Sequence, residues 1–129
     1  MRTKTKSKRV QKPIKSWNDV EIVPIHNEEY HVWSLCYKEG KIPRGKSSSI
    51  ASISLEKEYG ILEEFNLSKG YQSLDKMILQ KLLETALNEL GEICIDYHSQ
   101  DYDDREWWQK FAEKRRHTTN FWSGILTIH

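Results

Sequence analysis

The feature that most constrains the fold is an amphipathic helix pattern that directly follows a short strand pattern. Residues 61–67 read as a strand, and a Lys69-Gly70 turn separates them from apolar residues that recur at steps of three and four. These apolar residues are Leu74, Met77, Ile78, Leu82, Ala86, Leu87 and Leu90. The spacing predicts a helix of about five turns, with Ser73 as its N-cap and Gly91 as the residue that ends it.

The rest of the chain alternates between strand and helix patterns. Strands are predicted for residues 20–26, 30–38, 47–55, 61–67, 93–98 and 121–128. A second helix is predicted to open at the capping-box spacing of Asp103 and Glu106 and to end in the basic turn 114–116. The predicted fold is an α/β domain of the α+β kind, with a mixed, mainly antiparallel sheet and two helices in the order ββββαβαβ.

Length and charge divide the chain into an arm and a domain. With 129 residues the chain fits one domain, and we assign residues 16–129 to it. Residues 1–15 hold seven of the 20 basic residues, none of the 19 acidic ones and few apolar ones. This composition predicts a disordered basic arm that could contact nucleic acid or an acidic protein through charge.

Composition also bears on location and on metals. No apolar run is long enough to cross a bilayer, and no hydrophobic stretch follows the basic N-terminus before Trp17. We therefore expect a cytoplasmic protein without a membrane partner. Cys36 and Cys94 are expected to be buried, reduced thiols. The five histidines lack metal-ligand spacing, so no metal site is predicted.

The turn before the helix resembles the acetyl-CoA loop of the GNAT N-acetyltransferases. The resemblance is carried by the run Lys69-Gly70-Tyr71-Gln72-Ser73-Leu74 before a long helix, and by the element order over residues 20–128. It implies that the backbone of this loop holds the cofactor pyrophosphate at a helix N-terminus. It also implies that acetyl-CoA or another acyl-CoA is the ligand. The implied cofactor-binding residues are Leu67, Ser68, Lys69, Gly70, Tyr71, Gln72 and Ser73.

The same resemblance suggests how an acyl group would pass to an amine acceptor. Glu63 or Glu64 would be the base, and as neighbours on a strand they are expected to face opposite sides of the sheet. Trp108 stands where the family often has a tyrosine that acts as general acid, and an indole cannot replace it. Tyr97 or Tyr102 is therefore the candidate acid.

Two alternatives remain open at this point. The first is a catalytically silent GNAT-like module that docks a protein or nucleic acid, because Leu67 and Gln72 differ from the family's loop residues. The second is a nucleotide-binding P-loop, because residues 40–47 have the Walker A spelling and residues 93–96 resemble a Walker B strand. A Walker A loop precedes a helix, whereas residues 47–55 have the pattern of a strand.

Overall fold

The computed structural model describes residues 13–96 and 105–129, which form an α+β fold with antiparallel sheets and two helices. The strands and helices are β1 (Val20–Pro24), β2 (Tyr30–Tyr37), β3 (Ser49–Glu56), β4 (Leu62–Leu67), α1 (Asp75–Leu90), β5 (Ile93–Asp96), α2 (Arg105–Lys114), β6 (Thr119–Trp122) and β7 (Ile125–Ile128). The predicted α+β class with two helices and mainly antiparallel strands is thus confirmed, but the strands form two sheets where one was predicted. Tyr97, Tyr102 and Asp103 lie outside the described residues, as do residues 1–12 of the predicted arm.

The strands form two antiparallel sheets that touch at one point. The first sheet has the order β1-β2-β3-β4, and the second has the order β5-β7-β6. Between them, in the described part of the chain, Ile61 and Cys94 form an isolated parallel bridge, and the Cys94 N–H donates to the Gly60 carbonyl (2.9 Å). Strands β4 and β5 therefore run parallel and meet close to where both begin.

The core lies between one face of the first sheet and helix α1. The sheet contributes alternate residues of β2 and β3, and the helix contributes residues at steps of three and four, as predicted. The predicted stripe differs at Met77, which is exposed, and it lacked Leu79 and Leu83, which are buried. The main buried side chains of this layer are Trp33, Leu35, Ile53, Leu55, Ile78, Leu79, Leu82, Leu83 and Ala86. Burial of each large apolar side chain contributes about 1.5–3 kcal/mol, so this layer contributes strongly to stability.

Of the two predicted caps of helix α1, the C-terminal one is confirmed and the N-terminal one is wrong. Gly91 ends α1 with a left-handed φ of +81°, and its N–H donates to the Leu87 carbonyl (2.8 Å), as predicted. The N-cap prediction was wrong, because Ser73 lies inside a short 3-10 turn, Gln72–Leu74, that precedes α1. The helix begins at Asp75 without a side-chain cap from Leu74.

The single strand predicted over residues 121–128 is a hairpin of β6 and β7, so that prediction was wrong. Ser123 (φ +53°) and Gly124 (φ +81°) reverse the chain between the paired residues Trp122 and Ile125. Two successive left-handed residues are the geometry of a two-residue hairpin turn. Serine is an unusual first residue for such a turn, which is why the local sequence did not signal it.

Two smaller expectations also change. The packed part of the chain begins before residue 16, because Ile14 is buried in the core and the Tyr37 hydroxyl donates to the Pro13 carbonyl (3.3 Å). Cys36 and Cys94 are free, as expected, but half-buried. Burial raises the pKa of the Cys36 thiol, and nearby Glu21 raises it further.

A pair of histidines flanks the buried indole of Trp33 at one end of the first sheet. The rings of His26 and His31 lie 5.1 Å apart between centroids, and the His31 ring stacks on Trp33 at 5.9 Å. Within the described residues, His31 Nδ1 is buried without a hydrogen-bond partner. Burial lowers the pKa of His31 below 6.5, and His26 and Lys57 lower it further.

We expect this histidine to make the fold less stable in acid. Because the folded-state pKa of His31 is lowered, the unfolded chain binds its proton more readily, so stability falls as pH drops through about 6.5. Thermal unfolding of the parent chain and of His31→Gln between pH 8 and about pH 5 tests this expectation. The variant should lose less stability over that range, and identical pH profiles would contradict the assignment.

Candidate functional site

The turn between β4 and α1 is tied to the neighbouring strand by its first residue. The Ser68 N–H donates to the Ile50 carbonyl (2.8 Å), and the Ser68 hydroxyl donates to the Ser49 carbonyl (3.0 Å). These two bonds hold the start of the turn against β3. The residues that follow are therefore presented at the end of the first sheet where β3 begins and β4 ends.

Gly70 lies beside Lys46, which belongs to another part of the chain. It has a φ of +100°, a conformation that side-chain-bearing residues rarely adopt. A Cβ atom at this position would lie 3.3 Å from Nζ of Lys46. The same ammonium lies 5.4 Å from the centroid of the Tyr71 ring, within cation–π range. The missing side chain of Gly70 therefore leaves space for the Lys46 ammonium.

Lys46 belongs to the connection between β2 and β3, which contains the Walker-like string. Two tight turns shape this connection: the Lys41 N–H donates to the Lys38 carbonyl (3.0 Å), and the Lys46 N–H donates to the Pro43 carbonyl (3.1 Å). The strand Ser49–Glu56 follows, where a Walker A motif requires a helix. The string is thus a hairpin connection, and the P-loop interpretation of it was wrong.

Two adjoining clefts result from the contact between this connection and the turn. We call the first, of about 520 Å³, the loop cleft; its lining is Pro13, Lys15, Asp19, Tyr37, Lys41, Pro43, Arg44, Lys46 and Gly70. We call the second, of about 400 Å³, the turn cleft; its lining is Gly45, Lys46, Ser47, Ser49, Ser68, Lys69, Gly70 and Tyr71. Lys46 and Gly70 line both clefts, so the two form one continuous basic surface.

Two buried tyrosines join the elements beneath these clefts. The hydroxyl oxygens of Tyr37 and Tyr71 lie 2.8 Å apart. Since the Tyr37 hydroxyl donates to Pro13, the Tyr71 hydroxyl donates to Tyr37. Burial raises the pKa of Tyr37 well above its usual value, and the hydrogen bond with Tyr71 raises it further. Tyr37 therefore stays protonated near neutral pH and adds no negative charge beneath the basic surface.

The Gln72 side chain binds the Gly70 backbone N–H, the group that would bind a phosphate if this turn acts like the acetyl-CoA loop it resembles. The Oε1 atom of Gln72 accepts the Gly70 N–H at 3.0 Å. A carboxamide oxygen in this position takes the place that an anionic oxygen would take at a glycine-rich turn. A phosphate that uses this N–H must therefore displace the Gln72 side chain.

The other predicted cofactor-binding residues are distributed along the same segment. Leu67 ends β4 and packs half-buried against the core, while Lys69 and Ser73 are exposed. Tyr71 is buried, with only its ring face near Lys46. The structure thus brings the turn residues together, whereas Leu67 packs against the hydrophobic core.

The predicted bases lie at an irregularity of β4. Leu62 pairs with Leu55 and Glu64 pairs with Ser54, so Glu63 is an extra residue that bulges from the strand. The expectation that Glu63 and Glu64 face opposite sides assumed strict alternation, and the bulge breaks that alternation. Both carboxylates are exposed. Trp108 is fully buried, and Tyr97, the predicted acid, lies outside the described residues.

The proximity of the β2–β3 connection to the Gly70 turn was not predicted from the sequence. Lys41, Arg44 and Lys46 were treated as part of a rival nucleotide-binding motif and not as neighbours of Gly70. The density of cations around two glycines was a usable signal for an anion site. The partner turn could not be identified from it, because Lys69 lies 23 positions after Lys46 in the sequence.

A separate polar cleft of about 550 Å³ lies between α1 and the end of α2, and its lining includes Lys81, Asn88 and His117. Of the cations in this lining, Arg115 forms a salt bridge with Glu84 and donates to the Phe111 carbonyl (3.2 Å), and the Lys81 ammonium lies over the Trp17 ring (4.7 Å to the centroid). The loop and turn clefts instead hold cations that form no ion pair within residues 13–96 and 105–129. We therefore take them as the candidate site.

Comparison of the chain with protein-family models, with curated proteins and with solved structures returned no match. None of the helices in the described ranges has the length and apolar character needed to span a membrane. In the same ranges, no group of three or more His, Cys, Asp or Glu side chains is arranged to hold a metal ion.

Proposed function

We propose that the chain is a reduced GNAT-like protein that binds acetyl-CoA or a related acyl-CoA at the turn between β4 and α1. The observation that carries the proposal is the parallel bridge of Ile61 and Cys94, which joins β4 and β5 near their starts. In the GNAT family the equivalent strands separate to admit the pantetheine arm of the cofactor. Here β4 leads directly to the Gly70 turn and to the turn cleft.

The charge of the turn cleft suits the phosphates of such a ligand. Lys46 and Lys69 contribute two exposed ammonium groups. Gly70 has no side chain, so a ligand can approach the backbone there. Hydrogen bonds from ammonium groups to phosphate oxygens are about twice as strong as neutral ones. The turn cleft would therefore hold the pyrophosphate, with the acyl end directed toward the strands.

Acyl transfer to an amine is the reaction that this ligand would support. Glu63 or Glu64 would take the proton of the attacking amine, and a tyrosine or water would protonate the leaving thiolate. Trp108 has no access to such a leaving group, because none of its side chain is exposed.

One observation favours the silent module as a second candidate. The Gln72 side chain already occupies the Gly70 N–H, so the turn is complete without a phosphate. Release of free CoA from acetyl-CoA in the presence of a panel of primary amines separates the two candidates. Binding without any release would favour the silent module, and release that Glu63→Gln or Glu64→Gln abolishes would favour the enzyme.

Isothermal titration with acetyl-CoA tests the proposed binding. We expect saturable heat with the parent chain and about tenfold weaker binding with Lys46→Ala, which removes one charge-assisted contact. The matched control is Lys57→Ala, which removes an exposed lysine outside both clefts and should bind like the parent. S-acetylpantetheine, which lacks the phosphates, should bind much more weakly. Absence of heat at millimolar acetyl-CoA would overturn the proposal.

A further inference from the structure

We propose that the loop cleft is a second phosphate subsite, which selects ligands that carry a phosphate on the ribose 3′ position as well as a 5′-linked pyrophosphate. This inference rests on the proposed function and extends it to the nucleotide end of the ligand. It assigns the β2–β3 connection a role in recognition that the family resemblance at residues 67–73 does not include.

The first support is charge. The loop cleft is lined by four cationic side chains and one carboxylate: Lys15, Lys41, Arg44, Lys46 and Asp19. The four cations are exposed, and within the described residues none of them forms an ion pair. Several unpaired charges of one sign around a concave surface raise the local concentration of anions. The loop cleft is therefore an anion site with an excess of positive charge.

The second support is the connection between the clefts. Lys46 and Gly70 line both of them, so an anion in the turn cleft and an anion in the loop cleft share one wall. A ligand with a single phosphate group can occupy only one of these positions. A pyrophosphate and a 3′-phosphate joined by one ribose present two anionic groups on a short, semi-rigid spacer. That arrangement matches two adjoining basic clefts.

The third support is preorganisation. The two tight turns of the β2–β3 connection include Pro43, whose ring fixes its backbone, and they place Arg44 and Lys46 on the same short segment. The bond between the hydroxyls of Tyr37 and Tyr71 ties the end of β2 to the Gly70 turn beneath the clefts. A connection whose backbone is fixed before binding loses less conformational entropy when the ligand arrives. The subsite is thus built into the fold.

The test compares ligands that differ only in the 3′-phosphate. Acetyl-CoA and its 3′-dephospho form, and adenosine 3′,5′-bisphosphate and adenosine 5′-monophosphate, are titrated into the full chain. We expect the parent to prefer the 3′-phosphorylated member of each pair by about tenfold or more. The double variant Lys41→Ala/Arg44→Ala should lose this preference, so that it binds acetyl-CoA and its 3′-dephospho form with equal affinity. Lys57→Ala should keep the preference.

The outcomes separate this inference from the proposed function. Equal affinity for acetyl-CoA and its 3′-dephospho form overturns the second subsite and leaves acyl-CoA binding intact. Binding of the bisphosphate without any binding of acetyl-CoA overturns acyl-CoA as the ligand and leaves the basic subsite. A preference that survives in the double variant, with circular dichroism showing it folded, places 3′-phosphate recognition outside the loop cleft and overturns the inference.

Discussion

Replacement of Trp108 by alanine is expected to lower the free energy of unfolding by about 3–5 kcal/mol. The side chain is fully buried, and its ring makes edge-to-face contacts with Trp107 (4.7 Å between centroids) and Phe111 (6.4 Å). Removal of the indole would leave a cavity that the packed neighbours can only partly close. Urea unfolding followed by circular dichroism measures the loss.

The matched control is the same substitution at a different tryptophan. Trp122 lies at the tip of the β6–β7 hairpin with 81% of its surface exposed, so Trp122→Ala should change stability by less than about 0.5 kcal/mol. Similar losses in the two variants would contradict the packing described here.

Replacement of Gly70 by alanine is expected to weaken acetyl-CoA binding by tenfold or more, since it disturbs the wall shared by both clefts. The positive φ costs an alanine about 1–2 kcal/mol of backbone strain. In addition, its Cβ would lie 3.3 Å from Nζ of Lys46, so the ammonium that lines both clefts would have to shift by a few tenths of an ångström. Titration with acetyl-CoA and urea unfolding together measure the two effects. This prediction depends on the proposed function.

Gly60 provides the control for backbone strain. Its φ is +69°, and a Cβ there would meet nothing within 4 Å. Gly60→Ala should therefore lose a similar amount of stability without loss of ligand affinity. If Gly60→Ala also lost affinity, the effect at Gly70 would reflect general destabilisation and not the position of Lys46.

Local periodicity was sufficient for the helix and for the faces of the central strands. Steps of three and four located α1, and alternation correctly placed Trp33, Leu35 and Ile53 in the core. Each of these patterns arises within one helix or strand, because the buried side of that element carries apolar residues at a regular spacing. Gly91 was equally readable, because helix ends often need a left-handed residue.

Features that depend on pairing between strands could not be predicted from the spacing of apolar residues. The bulge at Glu63 exists because β4 has one more residue than β3 between two pairs, and that mismatch involves both strands. The hairpin of β6 and β7 was missed because its turn begins with Ser123, which does not mark such a turn by itself. In both cases the contacts across the sheet decided the local conformation.

The strand-turn-helix unit and the cation-rich string of residues 40–47 were evident from the sequence by itself, since each is a local pattern. Only the tertiary structure decided that they lie side by side. The register of β2, β3 and β4 places the β2–β3 connection beside the Gly70 turn, and the glycine leaves space there for the ammonium of Lys46. Proximity of this kind results from hydrogen-bonded registers over many residues, which no local pattern contains.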